Sequence, residues 1–443
     1  MMEFVNNIMD SLTAKGDENP VGLQYLPAEL IEIIFQDLRV DSCKSFRLTS
    51  KRCAVLGQPY ILSSRLKLFP HRDDFTKLME IAQHPYFSAQ IHRVEIYMAK
   101  ADDYHFRNNL CFQQCAKESI GGAETMRESM AKYQKQKGLE EAYADDFCNP
   151  DILELAFPNM KNLKAIDIKM EDCLYNDLVL WDAWKMGLSK AEPGDAEIDH
   201  FMAILRAASR TKLRILTNDL LPFGIWDMDC YRPDLEAAFT RLTTLKLVMG
   251  CKNLRDHHVT DSRESWANKL NKALKGATNL RELHIGFKLS LSAILDCPPL
   301  LDGLILPHLH SLILEKIAWH PEDLIFFLKA HAATLRRLRV WAFVSKKDLK
   351  GNSVDQPADL ERLIDEMKEH LKLEKLDVCG HPSVLCQPAE IFWFHETGLY
   401  DENWEPVRQH SGSPSVMGQR CEEYVVHGGV SPYRGRDISD LFA

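Results

Sequence analysis

A short pattern of apolar and polar positions recurs along the second half of the chain: aliphatic, two residues, aliphatic, one residue, aliphatic. It stands at Leu163/Ile166/Ile168, Leu242/Leu245/Leu247 and Leu280/Leu283/Ile285. It returns at Leu309/Leu312/Leu314, Leu335/Leu338/Val340 and Leu373/Leu376/Val378, with a weaker copy from Leu213 and Leu216. The last two positions of each copy are two apart, which predicts a strand with one buried face. Between several copies the spacing becomes helical. Trp266, Leu270, Ala273 and Leu274 form one such stretch, and Leu324, Phe327 and Leu328 follow the helix start Pro321-Glu322-Asp323. Leu360, Leu363, Ile364, Met367 and Leu371 form another after Asp359.

The first positions of the copies fall 26 to 38 residues apart, after one longer step of 50. Strand then helix at this interval predicts an α/β fold resembling a leucine-rich repeat solenoid. Each unit there buries its apolar face only by stacking on the next. Regular repeats carry Asn or Cys three residues past the strand. Here those places hold Glu171, Gly250, Lys288, Ile317, Phe343 and His381, so an irregular solenoid without a side-chain amide ladder is expected. A general α/β fold that shares the spacing is the other reading.

A different pattern opens the chain. Leu26-Pro27-Ala28-Glu29-Leu30 starts a helix, since proline suits the first turn and a carboxylate suits the positive helix end. At about 100° per residue, Leu30, Ile31, Ile33, Ile34, Phe35 and Leu38 span roughly 200°, wider than one core face needs. Glu29, Glu32 and Gln36 make the polar side, and Asp37 intrudes at the edge of the apolar arc. Such a helix either serves two burial surfaces or lies deep in its own domain.

The residues that follow carry a resemblance. Leu26, Pro27, Glu29, Leu30, Ile33, Ile34 and Leu38, then Phe46, Leu48, Ser50, Lys51, Arg52 and Leu56, stand at positions that match an F-box. Cys53 takes the place where that motif often has tryptophan. The resemblance implies docking to a Skp1-like adaptor, and through it to a cullin, by Leu26, Pro27, Leu30, Ile33, Ile34 and Leu38. The tail also resembles those of F-box proteins from filamentous fungi.

The expected organisation is a flexible N-terminus at 1–22 and an F-box at 23–68. A linking region with a polar helical insertion follows at 69–156, then the repeats at 157–380. An irregular C-terminal cap and tail, rich in Gly, Pro and Ser yet holding aromatic residues, occupies 381–443. On the concave strand face, side chains between the buried aliphatics should point outward. They run from Asp167 and Lys169 through Thr244, Lys246, Glu282, His284, Ile313 and Glu315 to Lys375 and Asp377. Arg337, Arg339 and Trp341 are the candidate target-binding set. Two guanidinium groups beside a flat ring could hold an acidic or phosphorylated peptide. The plainer reading is a solvated basic strand with Trp341 covered by the tail.

Composition narrows the function. The chain carries 54 basic and 64 acidic residues, a net charge of -10, which argues against nucleic acid and against a polybasic membrane contact. No apolar run reaches the roughly 18–20 residues of a membrane span, and the start lacks the form of a signal peptide. The 12 cysteines include no Cys-x-x-Cys pair and read as reduced thiols, which places the chain in the cytosol or the nucleus. The spacings of Cys111 with Cys115, and of Cys379, His381, Cys386 and His395, match no standard metal site. No nucleotide-binding or nucleophile motif is found. The expectation is therefore a non-catalytic substrate receptor of an SCF-type (Skp1–cullin–F-box) ubiquitin ligase, with no cofactor and no metal. The alternative is a repeat scaffold without ligase association, whose N-terminal helices are only an end cap.

Overall fold

The computed structural model describes residues 26–38, 40–60, 64–100, 122–174, 180–181, 195–222, 225, 232–250, 259–288, 295–296, 298–315, 317–319, 321–341, 344–345, 356–379 and 416–429. Three short helices come first: α1 (Ala28–Asp37), α2 (Val40–Arg47) and α3 (Lys51–Leu56). Strands and helices then alternate. The first stretch holds β1 (Arg65–Leu68), α4 (Asp74–Gln83), α5 (Pro85–Gln90), β2 (Arg93–Tyr97), α6 (Gly122–Ala142) and α7 (Pro150–Asn159). The middle holds β3 (Ala165–Lys169), α8 (Asp195–Ser209), β4 (Ile215–Pro222), α9 (Arg232–Phe239), β5 (Thr244–Gly250), α10 (Val259–Lys275) and β6 (Glu282–Lys288). The last stretch runs β7 (Leu295–Asp296), α11 (Pro298–Leu301), β8 (Ser311–Glu315), β9 (Ile317–Trp319), α12 (Pro321–Ala330), β10 (Arg337–Trp341), β11 (Val344–Ser345), α13 (Gln356–His370), β12 (Lys375–Cys379) and α14 (Val416–His427).

Nine strands form one parallel sheet in the order β1-β2-β3-β4-β5-β6-β8-β10-β12, so each strand lies beside the one before it in the sheet's chain order. The short strands β7, β9 and β11 make a second, three-stranded parallel sheet. Parallel neighbours need crossover connections, and helices supply them. Those helices pack on one another in sequence: α7 on α4 and α8, α8 on α9, α9 on α10, and so on to α13 on α14.

The aliphatic pattern explains the core. Leu66, Val94, Ile166, Leu216, Leu245, Leu283, Leu312, Leu338 and Leu376 are partners in register across all nine strands. All are buried except Leu66, which is partly buried against the same core. The predicted helical stretches meet this row from the other layer. Leu270, Ala273 and Leu274 on α10 are buried, as are Leu324, Phe327 and Leu328 on α12 and Leu363, Ile364 and Met367 on α13.

Main-chain bonds also join the repeats outside the strands. Just before the strands, His92 N–H donates to Ser64 C=O (2.9 Å), Lys164 to His92 (2.9 Å), Arg214 to Lys164 (2.8 Å) and Thr243 to Arg214 (2.7 Å). The chain of bonds continues with Arg281 to Thr243 (2.8 Å), His310 to Arg281 (2.7 Å), Arg336 to His310 (2.9 Å) and Glu374 to Arg336 (2.7 Å). These main-chain bonds tie the strand entrances together whatever side chain each position carries.

The sheet starts earlier than position 157. β1 falls inside the 23–68 segment, and β2 inside the 69–156 segment. Ile91, Val94 and Ile96 have the repeat spacing and are all buried. The expected polar insertion contains α6, a helix of 21 residues that is polar but anchored by buried Ser129 and Tyr133. Of the expected cap at 381–443, the described part is 416–429. There α14 lies against β12, with Cys421 and Val425 in the core and the Tyr424 hydroxyl donating to Asp365 (2.9 Å). The flexible N-terminus expected at 1–22 lies outside the described residues, as do Cys111 and Cys115.

A buried histidine pins two repeats together. His331 Nδ1 donates to Phe327 C=O (2.7 Å), and Nε2 accepts the Leu306 N–H (2.9 Å). That arrangement requires neutral imidazole, and burial lowers the His331 pKa below its ordinary 6.5. A lowered histidine pKa adds stability above the unfolded-state value of 6.5, which is lost as pH falls toward the folded-state value. His331→Ala should cost about 2 kcal/mol at pH 7.5 in denaturant unfolding, and the penalty should shrink as pH drops below the ordinary histidine range.

Candidate functional site

Two surfaces stand out. The first is the helical module. Its core is small: Ile31, Phe35, Cys43 and Cys53, with Leu26, Leu38, Phe46, Leu56 and Tyr60 packed partly against them. Phe35 stacks on Tyr60 (centroids 5.4 Å apart) and tilts against Phe46 (4.9 Å). Gly57 suits the place beside this ring, because a Cβ there would collide with the Phe35 ring. Ser50 caps α3 by accepting the Cys53 N–H (3.0 Å), and Arg47 Nε donates to Ala54 C=O (3.0 Å).

Helix α1 thus has two apolar faces. Ile31 and Phe35, four residues apart, fill the module's core. Leu30 and Ile34 are half-buried and Ile33 is 48% exposed. With 3.6 residues per turn, the Leu30/Ile33/Ile34 stripe is centred roughly 125° from the inward face. The six predicted docking residues therefore divide. Leu26 and Leu38 partly serve the module's own core, Pro27 is exposed, and Leu30, Ile33 and Ile34 form the open stripe. Two more large apolar side chains outside that set are exposed, Leu48 at 87% and Val55 at 69%. Leu48 was legible as part of the motif. Val55 sits two residues beyond inward Cys53, a spacing that turns it to the opposite side of α3.

The second surface is the sheet face that carries the residues between the aliphatics. In register from β1 to β12 these are Lys67, Glu95, Asp167, Thr217, Lys246, His284, Ile313, Arg339 and Asp377. Most of its charges are spent on one another. Arg65 reaches Glu95 (3.0 Å), Arg93 reaches Asp167, and the Thr217 hydroxyl donates to Asp167 (2.7 Å). His284 Nε2 lies 3.2 Å from Glu315, and Arg339 Nε lies 3.2 Å from Asp377.

Arg339 is buried, at 8% exposure, and paired to Asp377 within the chain, where a solvated basic strand was expected. The cross-strand neighbour is the physical reason: an Asp in register beside the Arg neutralises it. Arg337 on the same strand is half-buried, and the Trp341 side chain lies outside the described structure. His381, Cys386 and His395 lie outside the described residues, as does the Cys379 side chain.

The His284–Glu315 pair sits mid-sheet. Gly286 makes room for it, since a Cβ there would lie 3.2 Å from Glu315 Oε2 and 3.4 Å from His284 Nε2. Burial lowers the His284 pKa, so the imidazole is neutral at pH 7 and can donate from Nε2. Burial also raises the Glu315 pKa. The His284 imidazole 3.2 Å away and the charges of Arg339 and Lys246 outweigh it and hold the carboxyl at about 2. A face built this way can bind by hydrogen bonds and shape, with little free charge.

No protein-family model matches the chain, and no curated protein matches it.

Two outcomes check this geometry. Ile31→Ala should cost about 2–4 kcal/mol in the module and speed hydrogen exchange of the α1 amides, whereas Ile33→Ala should stay within about 0.5 kcal/mol. Glu315 adds stability that is present above its ordinary value of 4.5 and is lost as pH falls toward about 2. In Glu315→Gln, the acid unfolding curve should be shallower over that window.

Proposed function

We propose that this chain is a substrate receptor of an SCF-type ubiquitin ligase. Its N-terminal helices act as an F-box that docks a Skp1-like adaptor, and through it a cullin. The nine-stranded sheet and its helices act as an irregular leucine-rich repeat-like solenoid whose open face holds a target protein. The chain would do no bond chemistry of its own. It raises the effective concentration of the target near a ubiquitin-charged enzyme, and this work belongs to the cytosol or the nucleus.

One observation carries the reading: the Leu30/Ile33/Ile34 stripe stays open while Ile31 and Phe35 fill the module's core. An apolar stripe at i, i+3 and i+4 suits a helix laid in a partner's groove. The sheet adds support. Its strands are all parallel and run in chain order, with helices packing in the same order, as a one-dimensional stack of repeats would require.

Because Leu26 and Leu38 also serve the module's core, the docking energy should rest on the middle of α1. The double change Leu30→Ala/Ile33→Ala should weaken adaptor binding by about 2–4 kcal/mol while the sheet's unfolding transition is unchanged. Titration calorimetry of the intact chain with purified Skp1-like adaptor measures it. If the unaltered chain does not bind adaptor, the module is an end cap on a scaffold and the ligase reading fails.

A further inference from the structure

Helix α1 carries three acids, Glu29, Glu32 and Asp37, and no Lys or Arg. All three are exposed, and among the described residues none forms an ion pair. Glu29 and Glu32 lie on the polar side of the helix. Asp37 does not: it follows Leu30, Ile33 and Ile34 in the series i, i+3, i+4, i+7, and so continues the open apolar stripe by one turn.

The helix dipole does not favour an acid at this place. Asp37 is the last residue of α1, where the unpaired carbonyls form the negative end of the helix. A basic residue would be favoured there, and α1 has none in its last turn. An exposed carboxylate at the end of an apolar docking stripe, set against its own helix dipole, is best satisfied from outside.

We infer that the adaptor surface receiving α1 is an apolar groove closed at one end by a Lys or Arg that pairs with Asp37. This rests on the adaptor reading above and makes Asp37 a specificity-determining residue of that contact. A charge at the rim of a contact acts mainly on encounter and orientation, so its mark is a salt-dependent association rate.

The test uses the intact chain and purified Skp1-like adaptor in surface plasmon resonance at low and high salt. Asp37→Lys should slow association on the order of tenfold at low salt, with the deficit shrinking at high salt. Asp37→Asn should fall between it and the unaltered chain. Glu32→Lys, on the polar side, should stay within about twofold. Thermal unfolding keeps misfolding apart from lost binding, because lysine suits the helix end and Asp37→Lys should melt no lower. Adaptor binding that is indifferent to Asp37→Lys overturns this inference and leaves the docking reading standing. Equal loss in Glu32→Lys also overturns it, since diffuse negative charge would then suffice. No binding by the unaltered chain ends both.

Discussion

A strand with one apolar face cannot be stable alone, and the architecture follows from that constraint. Leu66 to Leu376 place one aliphatic side chain per strand in a row nine strands wide. Each interior member is shielded on both sides by its neighbours in the row and from below by helix residues such as Leu270, Leu324 and Ile364. At about 25 cal/mol per Å² of apolar area, a continuous row yields more than separate clusters, because only its ends stay wet. Helix α14 covers one of those ends at β12.

The opposite face of the same strands is governed by electrostatics. Ion pairs join residues of neighbouring strands, so Arg93 meets Asp167 and Arg339 meets Asp377. A half-buried charge is costly unless partnered, and register supplies partners at the spacing of adjacent strands. The face is therefore polar in composition, with several of its charges paired within the chain.

The sequence was most readable where one period ruled. Six aliphatic patterns predicted β3, β5, β6, β8, β10 and β12, and the helices α10, α12 and α13 followed from their own spacing. β1 and β2 were missed because they precede the clear run, although Ile91/Val94/Ile96 has the same spacing. The helix arc of α1 foretold two apolar faces, but not which residue served which. That depended on Cys43, Cys53 and Tyr60 arriving from elsewhere in the module. Arg339 looked like a solvent-facing cation because sequence spacing does not reveal that Asp377 is its partner in register. Pairing across strands is a property of the fold and not of either strand.

The main-chain bonds at the strand entrances have a consequence for how such a molecule can change. Ser64, His92, Lys164, Arg214, Thr243, Arg281, His310, Arg336 and Glu374 include six residue types, yet each joins the same ladder. A device made only of amides and carbonyls is indifferent to what hangs from it. Any residue but proline keeps these donors and acceptors, so the strand entrances can hold their geometry while the side chains on them change.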